Sequence, residues 1–316
     1  MLSISAITHV QSPRQLTARL VSGCCLLLLV LLGLEWLRYA HPTGRAGLGR
    51  CKRHLHVNAS LEPRPRDDIP GWNACHAQRA ASMAAADEGL GPPLILYGDS
   101  ITERWLGTSQ CAPLPPAQGV PAVFARHFAR FNASVMGIAA DTTAHLMWRL
   151  THGEAPVKHN PAVAVVLIGT NDLGYAWMLA DPETAEEAVM CAVPGVKLRV
   201  QRTLEMLRGM MPATHIVLLA LLPRGPGAEL FGWPSAFTGP IDAINLAFRE
   251  FTRPDDHLHF LDCGHLFLTP DQAAINRHLM PDTLHPSTAG YGALARCILP
   301  RINQLMRATL PPVVPK

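Results

Sequence analysis

Five short strand candidates recur between residues 94 and 261, and four of them are continuously apolar instead of alternating. They are Leu94–Tyr97, Ser134–Ile138, Ala162–Ile168, His215–Leu222 and Leu258–Leu261. A strand without alternation has no polar face to turn to water, so it belongs in a sheet covered on both sides. The segments between and around them have helical character. Trp72–Asp87 is rich in strong helix formers, Thr142–Leu150 and Pro240–Phe251 follow, and Ser287–Leu310 is kinked or split at Pro300. The clearest is Val196–Met211, where Val196, Val200, Leu204, Leu207 and Met211 fall on one face. Strand and helix therefore alternate. The fold class expected is α/β, a single doubly wound parallel sheet with helices on both faces. The Gly- and Pro-rich stretch Pro223–Pro240 is a long loop carrying Phe231, Trp233 and Phe237, which reads either as functional or as a cover for the core.

The amino terminus has a different texture. Residues 1–19 carry Arg14 and Arg19 and no acid, and Leu20 to Leu34 is then uncharged throughout. That run fits the core of a signal peptide and is short for a span, which needs about 20 residues. Trp36, Leu37 and Tyr39 extend it in the manner of an interfacial belt, and no small-x-small cleavage site follows closely. The expectation is a hydrophobic signal anchor within residues 1–40, with a cleaved signal peptide or a transit peptide as alternatives. Arg14 and Arg19 favour a cytosolic amino terminus, while Arg45, Arg50, Lys52 and Arg53 oppose it. In the first orientation the chain is a single-pass membrane protein of the secretory pathway with its body lumenal or extracellular; if cleaved, it is secreted. Residues 41–70, rich in Pro, Gly, Arg and His, read as an irregular stalk, and residues 71–312 as the catalytic domain.

Two sequons, Asn58-Ala59-Ser60 and Asn132-Ala133-Ser134, agree with that route. Six cysteines follow the apolar run: Cys51, Cys75, Cys111, Cys191, Cys263 and Cys297. An even number permits disulfides without fixing their pairing, and Cys297, on an apolar helical face, is expected to be a buried thiol. A net charge of +3 with no basic stripe argues against a nucleic-acid partner.

The strand candidates end in chemistry. Leu94-Ile95-Leu96-Tyr97 stops at Gly98-Asp99-Ser100, placing Ser100 at the carboxyl end of a strand, where open α/β sheets bind ligands. Far downstream, Asp282 and His285 stand three apart before Pro286, close enough to share one side of a turn. There the carboxylate can hold the imidazole tautomer while the other ring nitrogen takes the serine proton. Two further strand ends offer oxyanion donors: Gly169-Thr170-Asn171-Asp172 an amide side chain, and Ala139-Ala140-Asp141 backbone N–H groups. Ile101 and Leu284 flank the nucleophile and the base and are bulky enough to shorten an acyl pocket. His257-x-His259 beside Asp255 and Asp256 has weak metal-ligand spacing and reads as structural or solvated.

Gly98-Asp99-Ser100, Gly169-Thr170-Asn171-Asp172 and Asp282-x-x-His285-Pro286 together resemble the blocks of the SGNH, or GDSL-type, hydrolases. Gly137-Ile138-Ala139-Ala140-Asp141-Thr142-Thr143 and Leu221-Leu222-Pro223-Arg224-Gly225 extend the resemblance, within that superfamily, to the catalytic subunits of intracellular platelet-activating-factor acetylhydrolases. The similarity covers about Trp72 to Leu310. It implies a flavodoxin-like five-stranded sheet, cofactor-free and metal-independent serine esterase chemistry, and short acyl groups. By the same resemblance Ser100 is the nucleophile, His285 the base and Asp282 its orienter, with Ser100 N–H, Ala140 N–H and the Asn171 amide as oxyanion donors. The family usually has glycine where Ala140 stands; an alanine keeps the N–H, and a negative φ is expected there.

The function expected is a serine esterase that removes acetyl or other short acyl groups from a lipid or glycan. An acyltransferase passing the acyl group to a sugar hydroxyl would use the same residues, and an inactive binding protein on this fold is the alternative of a different class.

Overall fold

The five candidates form strands β1 (Leu94–Gly98), β2 (Ser134–Gly137), β3 (Val163–Leu167), β4 (His215–Leu219) and β5 (Leu258–Leu261). They join in one sheet of order β2-β1-β3-β4-β5 with every neighbouring pair parallel. β1 and β3 are buried at every position, which is why their sequences do not alternate.

The computed structural model describes Cys51 and residues 62–308, and the latter all fall within one compact unit, Arg53–Lys316. The apolar run Leu20–Leu34 and the Asn58 sequon lie outside the described residues. Among the described residues no helix is long and apolar enough to cross a membrane.

The helices are α1 (Trp72–Glu88), α2 (Val120–Phe128), α3 (Thr143–Arg149), α4 (Thr170–Leu179), α5 (Ala185–Met210), α6 (Thr238–Phe251) and α7 (Thr288–Ala308). The strand order reverses direction between β2 and β3, and right-handed crossovers then send the connecting helices to opposite faces. α2 packs against α7, while α5 packs against α3, α4 and α6. One large hydrophobic core runs from Met83 to Leu305 across the sheet.

Several expectations need correction. α5 begins at Ala185 and runs on through Pro194, and α7 continues unbroken through Pro300. Both prolines are on exposed positions, as is Arg296, whose carbonyl loses its partner to Pro300, so water can satisfy it. Cys297 is no free thiol: it is joined to Cys263, and Cys75 is joined to Cys111. All six cysteines downstream of the apolar run are disulfide-bonded.

The last part of the segment expected as a stalk lies against the body. Arg64 N–H donates to Ala144 O (3.4 Å), and Arg66, only 3% exposed, donates to Ala140 O.

Candidate active site

β1 lies between β2 and β3, with Gly98 opposite Gly137 on one side and Leu167 on the other. Three chain segments therefore leave the sheet side by side: after Gly98 towards Ser100, after Gly137 towards Ala140, and after Leu167 towards Asn171. Gly137 is needed for this. A Cβ there would stand 2.4 Å from Glu103 N, closing the space in which the helical turn Ser100–Glu103 sits on β2.

Asp99 caps that turn, its Oδ1 accepting from Ile101 N–H (2.9 Å). Burial pushes the Asp99 carboxyl up to about 7, against the pull of the Ile101 N–H. Tyr291 of α7 fastens the turn from below by donating to Ile101 O (2.6 Å). Ser100, 7% exposed, opens the turn, so its N–H has no intrahelical acceptor.

The predicted catalytic residues meet. Ser100 Oγ is 2.9 Å from His285 Nε2, and His285 Nδ1 is 2.7 Å from Asp282 Oδ2. Asp282 Oδ1 accepts from the backbone N–H groups of His285 (2.6 Å) and Leu284 (3.1 Å), which folds the three-residue spacing into a turn. Thr283, between them, has a left-handed φ of 61°. It anchors the turn by donating from Oγ1 to Gly227 O (3.0 Å) while its own carbonyl accepts from Gly225 N–H (3.0 Å).

Burial raises the Asp282 carboxyl, but the His285 hydrogen bond and the two N–H groups outweigh it and pull the group down to about 2. Asp282 is thus ionised at neutral pH. For His285 burial is the largest influence and lowers its pKa; the Asp282 hydrogen bond opposes this, and the Arg104 and Arg224 cations add to it. Arg104 Nη1 stands 3.7 Å from Asp282 Oδ2. Arg224 donates to Thr170 O (2.8 Å) and lies over the Phe237 ring.

Ala140 corrects the expectation most sharply. Its φ is +64°, a left-handed conformation for an L-residue, where a negative value was expected. Among the described residues its N–H has no protein acceptor, whereas the groups around it are all held. Ala139 N–H donates to Glu103 Oε2 (2.7 Å), Ala139 O accepts from Gln110 Nε2 (2.6 Å), and Asp141 O accepts from Asn171 Nδ2 (2.9 Å). That last bond brings the Asn171 amide to the Ala140 loop.

Behind the loop, Arg149 is fully buried, pairs with Asp141 (2.7 Å) and Glu154, and donates to the carbonyls of Gly98 (2.9 Å) and Met136 (3.2 Å). One side chain thus ties the ends of β1 and β2 together. Burial nevertheless keeps Asp141 raised, to about 6. Asp172 braces α4, accepting from Thr143 N–H (3.0 Å) and Oγ1 (2.7 Å) and pairing with Arg199 (2.9 Å).

Some expected residues are not brought to the cleft. Ile101 is 1% exposed and lines a small internal cavity with Leu96, Trp105, Val165, Leu294 and Ile298, so it belongs to the core under Ser100. Leu284, half-buried beside His285, remains as the bulky neighbour. Phe237 is buried against Trp177 (5.5 Å between rings), and Phe231 and Trp233 pack on the core. His259 meets His215 (3.1 Å) at the opposite, amino-terminal end of the strands, with the His257 ring beside it. Glu103, Gln110, Arg66 and Arg104 were missed. Glu103 and Arg104 lay directly after the nucleophile block as polar residues; nothing in sequence marked the other two.

Residues 96–293 match the GDSL-like lipase/acylhydrolase family. Platelet-activating factor acetylhydrolase IB subunit alpha1 of Bos taurus is 28% identical over 245 residues, covering 76% of this chain and 88% of its own. Subunit alpha2 of Rattus norvegicus is 29% identical over 255 residues, covering 80% and 93%. A solved structure named as a putative platelet activating factor from Streptococcus pneumonia shares the fold, with a TM-score of 0.52 at 18% identity over 74% of this chain and 94% of that one. The family match begins within β1 and ends within α7, taking in all three strand ends and the Asp282–His285 turn; the chain therefore belongs to the GDSL-like lipase/acylhydrolase family.

Proposed function

We propose that the protein is a serine esterase that hydrolyses acetyl and other short acyl esters of a lipid or glycan. The observation that carries this is the unbroken chain from Ser100 Oγ to His285 (2.9 Å) and from His285 to Asp282 (2.7 Å). In this reading Ser100 Oγ attacks the ester carbonyl as His285 Nε2 takes its proton. The oxyanion receives hydrogen bonds from Ser100 N–H, Ala140 N–H and Asn171 Nδ2. The alcohol leaves with the proton from His285, and water, deprotonated by the same imidazole, releases the acid from the acyl-serine. Asp282 stays ionised and holds the ring through both halves, consistent with its low pKa.

Leu284 beside the base supports a short acyl group, as do relatives named acetylhydrolase. The oxidised cysteines and the amino-terminal apolar run support delivery to an oxidising, lumenal or extracellular compartment.

Ser100→Ala tests the reading. With p-nitrophenyl acetate it should lose at least about a thousandfold in turnover, as loss of a triad member does, while melting as the wild type does. More than a tenth of the activity remaining would remove Ser100 as nucleophile. On the wild type, acetyl and butyryl esters should outrun palmitoyl esters. Product analysis with an added acceptor sugar distinguishes hydrolysis from acyl transfer; an acylated sugar as the main product would replace water as acceptor.

A further inference from the structure

Three consecutive carbonyls after β2 are each fixed by a donor from a different part of the chain: Ala139 O by Gln110 Nε2 (2.6 Å), Ala140 O by Arg66, and Asp141 O by Asn171 Nδ2 (2.9 Å). The first determines where Ala140 N–H points. The Ala139–Ala140 peptide is planar and trans, so its C=O and N–H are directed oppositely. A donor that holds Ala139 O on the Gln110 side therefore turns Ala140 N–H to the other side.

Gln110 is itself strongly placed. Gln110 and Cys111 have left-handed φ values of 52° and 59°, and their N–H groups both go to the buried Glu103 carboxylate (3.0 and 2.6 Å). The same carboxylate accepts from Thr108 Oγ1 (2.9 Å) and from Ala139 N–H (2.7 Å). Cys111 is joined to Cys75 of α1. The amide has only one workable orientation, since exchanging its oxygen and nitrogen would set oxygen against oxygen at Ala139.

We propose that Gln110, anchored by Glu103 and the Cys75–Cys111 disulfide, is a positioning residue that aims Ala140 N–H at the oxyanion. It acts through Ala140. The proposal rests on the esterase reading above, in which that N–H is an oxyanion donor.

Gln110→Met keeps the side-chain length without the donor, and Gln110→Glu keeps the shape but opposes Ala139 O with an acceptor. Each should lower kcat for p-nitrophenyl acetate by about 10- to 100-fold, less than the 10²- to 10³-fold that follows outright loss of an oxyanion donor. KM should stay within about twofold, and the acid limb of the pH profile should not move, because His285 and Asp282 are untouched. In a Cys75→Ser/Cys111→Ser background, where only the Glu103 anchor remains and the side chain is aimed less firmly, Gln110→Met should cost less than it does in the wild type.

A Gln110→Met variant with wild-type kcat overturns the proposal, as does a loss that appears only as raised KM or lowered melting temperature. If the double-serine variant does not fold, the two Gln110 variants decide alone. Ser100→Ala run in parallel separates the two readings: if it stays active, the esterase reading and this one both fall. If it is inactive while Gln110→Met is unimpaired, only the role of Gln110 falls.

Discussion

At Ala140 the left-handed backbone costs an L-residue roughly 1–2 kcal/mol, a cost glycine escapes. The polar partners of Ala139, Ala140 and Asp141 hold the strained conformation in place. Ala140→Gly should therefore relieve strain that the surroundings now impose. A net gain of about 1 kcal/mol would raise the melting temperature by roughly 2–4 °C in a domain of this size. Turnover should rise as well, because the N–H is then presented without opposing strain. A variant that melts lower and turns over more slowly would show that the alanine methyl contributes packing. At His285 the sign is equally definite. In the proposed mechanism its neutral ring is the base, and burial with the nearby arginines lowers its pKa below the ordinary 6.5. Activity should thus persist below pH 6.5 and fall as pH drops through the lowered value. Arg104→Met removes one of the cations that depress it, so the acid limb of kcat/KM should move to higher pH. An unmoved limb would show that the Arg104 charge does not reach the base.

Among the elements, α7 is anchored at two places. It supplies Tyr291 to the nucleophile turn and is tied through Cys297 to Cys263, just beyond β5. The cysteines are 34 residues apart, and removing a cross-link over a loop of that size typically costs about 2–4 kcal/mol. Cys263→Ser/Cys297→Ser should melt several degrees lower, with kcat within about twofold of wild type, since neither residue touches the triad. The central strands β1 and β3 were legible because burial on both faces leaves an unmistakable apolar run. α4 was not, because its first residues, Thr170-Asn171-Asp172, carry chemistry and resemble a turn. α2 begins at Val120-Pro121 and is short, so its start signal was overlooked. Pro194 and Pro300 suggested breaks because a sequence does not say which prolines face water. The same limit hid the handedness of Ala140 and the reach of Gln110 and Arg66: these are set by distant partners. Ser100 and Asn171 stood out by residue type at a strand end, and Asp282 and His285 by their three-residue spacing before Pro286.

On the scale of the whole molecule, reversal of the strand order around β1 brings the segments of Ser100, Ala140 and Asn171 together. The loops at that end carry Ser100, Ala140 and Asn171, and the His215–His259 pair lies at the other end of the strands. The chain's surface also bears on where it resides. Asn132 is exposed in a left-handed turn just ahead of β2, open to modification in a lumenal compartment. Expressed in a host that glycosylates, the protein should gain mobility on glycosidase treatment, by at least one glycan, and Asn132→Gln should remove the shift belonging to that site. Unchanged mobility of the wild type would count against lumenal placement.

Arg66 gives the segment ahead of the body a second meaning. A chain trimmed back past Arg66 would keep the sheet and the line from Ser100 through His285 to Asp282 but lose the donor on the Ala140 carbonyl, so the extent of amino-terminal trimming would set how firmly that loop is held.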